Sequence, residues 1–187
     1  MSTGPGPVAQ PQPGAPGEVV TDRMILRRPV PDDLDELAAI LGDPRVGRWL
    51  GGVADRARTA EMLARWIAHW DAHRFGLWSA RDRETGALIG RGGLSVLLVD
   101  GGAGVEAGWT IAADRWGEGL ATELGAAALE VAERDLRLRH LVSVTLRDNV
   151  ASRRVMEKLG FALAGDVTHA GLPHVLYRRE AVSALRP

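Results

Sequence analysis

Val105-Glu106-Ala107-Gly108-Trp109-Thr110-Ile111, followed by Trp116-Gly117-Glu118-Gly119-Leu120-Ala121-Thr122, is the stretch on which the fold turns. Its first half is apolar with β-branched and aromatic residues and reads as a strand. Its second half sets two glycines ahead of a helical periodicity in which Leu120, Leu124, Ala128, Val131 and Leu136 share one side. A glycine turn that opens a helix is an anion site made of main chain alone. The first amides of the helix lack internal partners, and the positive end of its dipole faces the same point. The turn matches neither of the commoner phosphate motifs. No Lys-Ser/Thr pair follows the glycines as in a P-loop, and no third glycine stands at the dinucleotide-binding spacing. What remains is Gly-x-Gly-x-Ala, which can cradle a pyrophosphate or simply punctuate the chain.

Downstream, Leu141 to Leu146 reads as a strand, and Asn149 can cap a short helix that stops at Gly160. Upstream, Met24 to Arg28 reads as a strand. Pro31-Asp32-Asp33 then opens a helix with Leu34, Leu37, Ile40 and Leu41 on one face. Val46 to Gly52 is a loop or short helix, and a second helix runs from Thr59 to His73 with Met62, Leu63, Trp66, Ile67 and Trp70 in register. Phe75 to Ala80 and Leu88 to Leu98 read as strands around the turn Arg83-Glu84-Thr85-Gly86. Asp100-Gly101-Gly102 closes a hairpin onto Val105. Phe161 to Val167 and His174 to Arg179, joined through Gly171-Leu172-Pro173, end the pattern. The order β, α, α, β, β, β, α, β, α, β, β belongs to an α/β fold.

Composition narrows the function. The 23 basic and 24 acidic residues are mixed throughout and leave a net charge of −1, which argues against a nucleic-acid-binding domain. With no cysteine there is no disulfide framework, thiolate metal site or cysteine nucleophile. The first residues carry neither the basic nor the apolar region of a signal peptide, and no apolar run approaches the ~20 residues of a membrane span, so the reading is a cytoplasmic protein. Residues 1–18 are rich in Pro and Gly and read as a disordered tail, leaving one domain over 19–187.

With the strand, turn and helix followed by Asn149, Ser152 and Glu157-Lys158-Leu159-Gly160-Phe161, the chain resembles the Gcn5-related N-acetyltransferases (GNAT). The opening Thr21 to Arg28 and the paired helices after it are similar to the branch that holds the ribosomal-protein N-terminal acetyltransferases. The resemblance spans roughly residues 20 to 182. It implies a mixed, twisted sheet of about six to seven strands with about four flanking helices, whose fourth and fifth strands splay apart to admit the pantetheine arm of acetyl-CoA. It also implies acetyl-CoA as donor, a primary amine as acceptor, no metal, and a possible homodimer. The family's pyrophosphate loop, Gln/Arg-x-x-Gly-x-Gly/Ala, falls on Trp116, Gly119 and Ala121. Trp116 departs at the first position and leaves the binding to the amides of Gly117, Glu118, Gly119, Leu120, Ala121 and Thr122. Thr110 and Ile111 would bond the pantetheine by main chain, and Asn149 would reach the cofactor from the splay while capping its helix.

The chemistry such a family performs needs a neutral amine, whereas free α-amines and lysines have pKa values of about 8 and 10.4. Glu106 matches the position of a base in many relatives, and a solvated strand-edge carboxylate is its plainer reading. Ser152 matches the acid that serves the departing thiolate, and a first-turn helix residue bonding to backbone is the alternative. Tyr177, the only tyrosine, reads as core or pocket wall. His69 and His73 have i, i+4 spacing but no third ligand, so a polar helix end is the reading over a metal site. Arg48 and Trp49 would line the acceptor site, and Trp66 and Trp70 belong to the core face. A non-catalytic acyl-CoA-binding module is the reading outside the enzyme class.

Overall fold

The computed structural model describes residues 14–99 and 102–180. The chain opens with β1 (Glu18–Val20) and β2 (Met24–Arg27), then runs through α1 (Leu34–Leu41), α2 (Pro44–Gly47) and α3 (Arg56–His73). Next come β3 (Leu77–Asp82), β4 (Leu88–Val99) and β5 (Gly102–Ile111), then α4 (Leu120–Arg134), β6 (His140–Leu146), α5 (Val150–Lys158), β7 (Ala162–His169) and β8 (Leu172–Glu180). The strands make one sheet in the order β1-β2-β3-β4-β5-β6-β8-β7. Every neighbouring pair is antiparallel except β5 and β6. A parallel pair needs a crossover, and α4 supplies it.

That pair is the feature that makes a site. β4 and β5 pair along their length, and β6 pairs with β8 from His140 to Leu146, but β5 and β6 meet only where Glu106 faces Val142. Ser143 Oγ donates to the Ala107 carbonyl at 2.8 Å and fastens the same end. Beyond it the strands part, so Thr110 and Ile111 pair with no residue of β6.

The splay survives because apolar packing holds both sides. Leu120, Leu124, Ala128 and Val131 of α4 are buried against Trp78, Leu94, Ala107 and Leu141 of the sheet. Leu124 is fully enclosed, so Leu124→Ala forfeits about 2–5 kcal/mol in transfer and cavity terms. A second cluster joins Leu37 and Ile40, Val46, Leu63 and Leu88, packing α1, α2 and α3 onto β4. Asp33 pins that layer to the sheet. Its fully buried carboxylate accepts from Ser79 Oγ at 2.7 Å, Arg81 Nη2 at 2.9 Å and the Val30 amide at 3.1 Å, and pairs with Arg27. Burial alone would raise the Asp33 pKa, and these donors outweigh it and hold the pKa below its ordinary value.

The structure departs from the sequence reading at element ends. There are eight strands and five α-helices among the described residues, because β1 is a three-residue strand and α2 is a single turn. The splay therefore lies between the fifth and sixth strands. Asp55 caps α3 by accepting the Arg58 amide at 2.8 Å, which starts the helix before Thr59. Leu136 packs on the core from beyond the end of α4. The last hairpin turns at Ala170 (φ 48°) and Gly171 (φ 77°), the paired left-handed residues of a two-residue turn. Leu172 and Pro173 thus lie in β8, and Pro173 is tolerated because β6 begins pairing only at His174. The tip at residues 100–101 lies outside the described residues, as does residues 1–13 of the expected tail. From Gly14 the chain is held, with the Ala15 amide on the Arg74 carbonyl at 2.9 Å and Trp78 Nε1 on the Pro16 carbonyl at 3.3 Å.

Candidate active site

Gly117 (φ 86°) and Gly119 (φ 83°) are both left-handed, a conformation that fits glycine and turns the chain sharply into α4. Gly119 has no side chain to cap the helix. Its carbonyl accepts the Thr122 and Glu123 amides at 3.0 and 3.1 Å, whereas the amides of Leu120 and Ala121 have no protein acceptor among the described residues. Both residues line a cleft of about 660 Å³ that runs into the splay, together with Trp116, Gly117, Gly119 and Thr122. Unsatisfied amides at a helix N-terminus are an anion cradle.

Ion pairs and hydrogen bonds from neighbouring side chains hold this loop in shape. Arg115 pairs with Glu118 at 2.8 Å and with Asp82 at 3.0 Å, and Arg23 Nη1 donates to the Glu118 carbonyl at 2.7 Å. Backbone donors from the Thr85 turn, reinforced by Arg115, hold the Asp82 pKa down to about 2. Glu123 accepts from Thr21 Oγ at 2.6 Å and from the Arg23 amide at 2.8 Å, tying the β1–β2 turn to the head of α4. The Glu118 side chain is therefore spent on Arg115, and Glu118 is the one loop residue that does not line the cleft. Trp116 Nε1 donates to the Ile111 carbonyl at 2.8 Å, so the residue in the family's polar position braces the strand end.

Along the splay, the cleft is lined by Glu106, Gly108, Thr110 and Ile111 on one side and Ser143, Val144, Thr145, Asn149 and Ser152 on the other. Asn149 Oδ1 accepts the Ser152 amide at 3.2 Å, which caps α5 and brings both residues to the wall. Glu106 lies where the strands part. Its carboxylate accepts from Ser95 Oγ at 3.3 Å and from the Val144 amide, with Arg91 and His174 nearby. Burial dominates and pushes the Glu106 pKa above the ordinary carboxylate value, against the pull of those donors and charges. A Cβ on Gly108 would stand 3.8 Å from the Glu106 carboxyl carbon with nothing else within 4 Å, so the floor beside the carboxylate is open.

Residues 23–162 match the family described as the acetyltransferase (GNAT) domain. The chain is a GNAT acetyltransferase. As such it is an acetyl-CoA-dependent N-acetyltransferase. It is 28% identical over 165 residues to the uncharacterized protein YkkB of Bacillus subtilis (strain 168), covering 88% of this chain and 96% of YkkB. A GNAT-family acetyltransferase of Bordetella pertussis superposes with a TM-score of 0.76 at 27% identity, over 87% of this chain and 98% of that one. Mycobacterium smegmatis RimJ, solved in complex with CoA-disulfide, shares the fold at 20% identity and a TM-score of 0.69, over 87% of this chain and 84% of RimJ.

Other residues read from the sequence sort clearly in this GNAT frame. Trp49 lines the cleft, while Arg48 stacks on it at 4.4 Å and lines an adjoining pocket with Arg147, Asp148 and Asp166. Tyr177 is core: its hydroxyl accepts from Arg153 Nε and donates to Glu157 Oε1, both at 3.1 Å, away from the cleft. His69 Nε2 accepts the Val96 amide at 3.1 Å and Nδ1–H donates to the Phe75 carbonyl at 2.9 Å, so it ties α3 to β4 as a neutral ring. Burial lowers its pKa accordingly. Among the described residues no three His, Cys, Asp or Glu groups gather for a metal, and no helix is long and apolar enough to cross a membrane. Sequence reasoning missed Arg91, Ser95, His169 and His174, all in the cleft wall. Strand alternation carries the signal for Ser95, which the register sets opposite Glu106. The two histidines come together only through the turn at Ala170-Gly171, with ring centroids 5.3 Å apart.

Proposed function

We propose that this GNAT enzyme transfers the acetyl group directly from acetyl-CoA to a primary amine, on a small molecule or at a protein N-terminus, with Glu106 as base and Ser152 as acid. The observation that carries it is the splay itself, with free Leu120 and Ala121 amides at one end and a desolvated Glu106 at the other, in a single cleft. The amides and the dipole of α4 hold the pyrophosphate, and the pantetheine lies along Thr110 and Ile111 with Asn149 opposite. CoA in the RimJ complex supports this reading of the donor end.

Glu106 accepts the proton of the ammonium, directly or through water, and the freed lone pair attacks the thioester carbonyl. As the tetrahedral intermediate collapses the C–S bond breaks, Ser152 gives its proton to the departing thiolate, and the nitrogen's second proton returns to Ser152 directly or through water, leaving the neutral amide and free thiol. A raised pKa suits Glu106 to this task, because a base whose pKa approaches the working pH can take a proton and later release it. The test is incubation with acetyl-CoA and a panel of primary amines, following free thiol and acetylated amine together. Equal yields of the two are expected. Tight CoA binding with no amine consumed would instead make the chain a binding module.

A further inference from the structure

Of the charged side chains in the cleft lining that the transfer route does not use, Arg91 is the one with a buried nitrogen left without a partner among the described residues. Arg91 stands on β4 opposite Thr110, four residues along the strand from Ser95, which faces Glu106. Its guanidinium carbon lies 4.6 Å from the centroid of the Trp66 ring. Its Nε is sealed from solvent with no hydrogen-bond partner, and Arg91 makes no ion pair within 4.0 Å among the described residues. Burial brings its pKa down to about 10, with the Glu106 charge acting in the opposite direction, so it is still a cation at neutral pH.

Arg91 as a residue is half-buried and only its Nε is sealed from water, and an anion bound to the guanidinium would offset the cost of that partial desolvation. The Trp66 face returns only part of that. Glu106 is not a standing counter-ion, since it makes no ion pair with Arg91 and must take up a proton during transfer. The cleft lining also holds Arg58, Arg115, Arg154 and Lys158, and Glu106 is its only carboxylate among the described residues. Such a field repels a polycation and attracts an acceptor with an anionic group. Between Arg91 and Glu106 on that sheet face lies Gly108, whose missing side chain leaves room for a compact molecule.

We infer that the acceptor is a small amino carboxylate, whose carboxylate is taken by Arg91 while Glu106 receives the proton of its amine. The assignment rests on the transfer reading above for the role of Glu106 alone. Its test is a binding measurement. The intact protein saturated with CoA is titrated calorimetrically with the common amino acids and, in parallel, with their carboxamides. At least one amino acid should bind about tenfold or more tightly than its carboxamide, the scale of a charge-assisted bidentate contact. Arg91→Gln should erase that difference without changing CoA affinity or melting temperature, and Arg91→Lys should keep part of it, because charge remains and the fork is lost. Should Arg91→Gln fail to fold, the Arg91→Lys titration carries the same comparison. Carboxamides binding as well as acids in the wild type would overturn the assignment. So would a loss in Arg91→Gln that falls equally on both series or on CoA. A protein that discriminates through Arg91 but forms no acetylated product keeps this inference and loses the transfer reading.

Discussion

Where the cleft meets α4, the groups offered to a ligand are main-chain amides of Leu120 and Ala121. Where it meets β4, β5 and β8, they are the side chains of Arg91, Glu106 and His174. The first arrangement depends on φ angles and on a helix start, so it tolerates Trp116 at a position where the family usually has a polar residue. The second depends on residue identity at positions far apart in the chain. A donor common to a whole family suits the former, and an acceptor that differs from member to member suits the latter.

This contrast can be broken at either end. Among substitutions that leave Glu106 in place, the largest effect is expected from Gly108→Val, which fills the floor beside Glu106 and should lower kcat/KM on the order of 10²-fold through misplacement of the reactants. The melting temperature should hold, since a Cβ there meets only the Glu106 carboxyl. Gly119→Val acts on the donor end alone. Forcing a side chain into φ 83° costs about 1–2 kcal/mol, so acetyl-CoA should bind about tenfold more weakly by calorimetry while kcat at saturation changes little. Asn149→Ala removes the α5 cap and should cost about 1 kcal/mol in denaturant unfolding. The smallest change is expected for Trp116→Phe, which loses the bond to the Ile111 carbonyl and about 0.5–1.5 kcal/mol of stability. An Asn149 or Trp116 variant that abolished acetyl-CoA binding would show that side chains, not backbone, hold the donor.

The end of the cleft at α4 was largely legible because its signals are local. Two glycines ahead of an apolar helix and an Asn ahead of a short one are read within a few residues. The sheet's extent was less so: Glu18–Val20 is too short to show alternation, and α2 hides behind Asp43-Pro44, which also reads as a turn. The end of the cleft around Glu106 needs strand register. Ser95 faces Glu106 and Arg91 faces Thr110 only once β4 and β5 are paired, and His174 reaches the cleft through a turn placed one residue earlier than the Gly171-Leu172-Pro173 reading. His69 drew attention for its spacing to His73, yet its two ring nitrogens are both used to join α3 to the sheet.

Glu106 links the two ends, and its pKa shift carries a stability consequence. A carboxyl raised by burial contributes stability that is fully present below its unfolded pKa, about 4.3, and is lost as pH rises through its higher folded value. Removing the charge with Glu106→Gln should therefore raise the melting temperature at neutral pH while lowering activity. The most direct measurement is the pH profile of kcat/KM for wild type and Glu106→Gln, with acetyl-CoA affinity determined alongside. The wild type should show a limb that rises with pH through the elevated Glu106 pKa, below the limb set by the amine itself. Glu106→Gln should lose that limb and about 10²–10⁴-fold in rate with acetyl-CoA affinity unchanged. A variant that kept both the limb and the wild-type rate would contradict the assignment of Glu106 as the base.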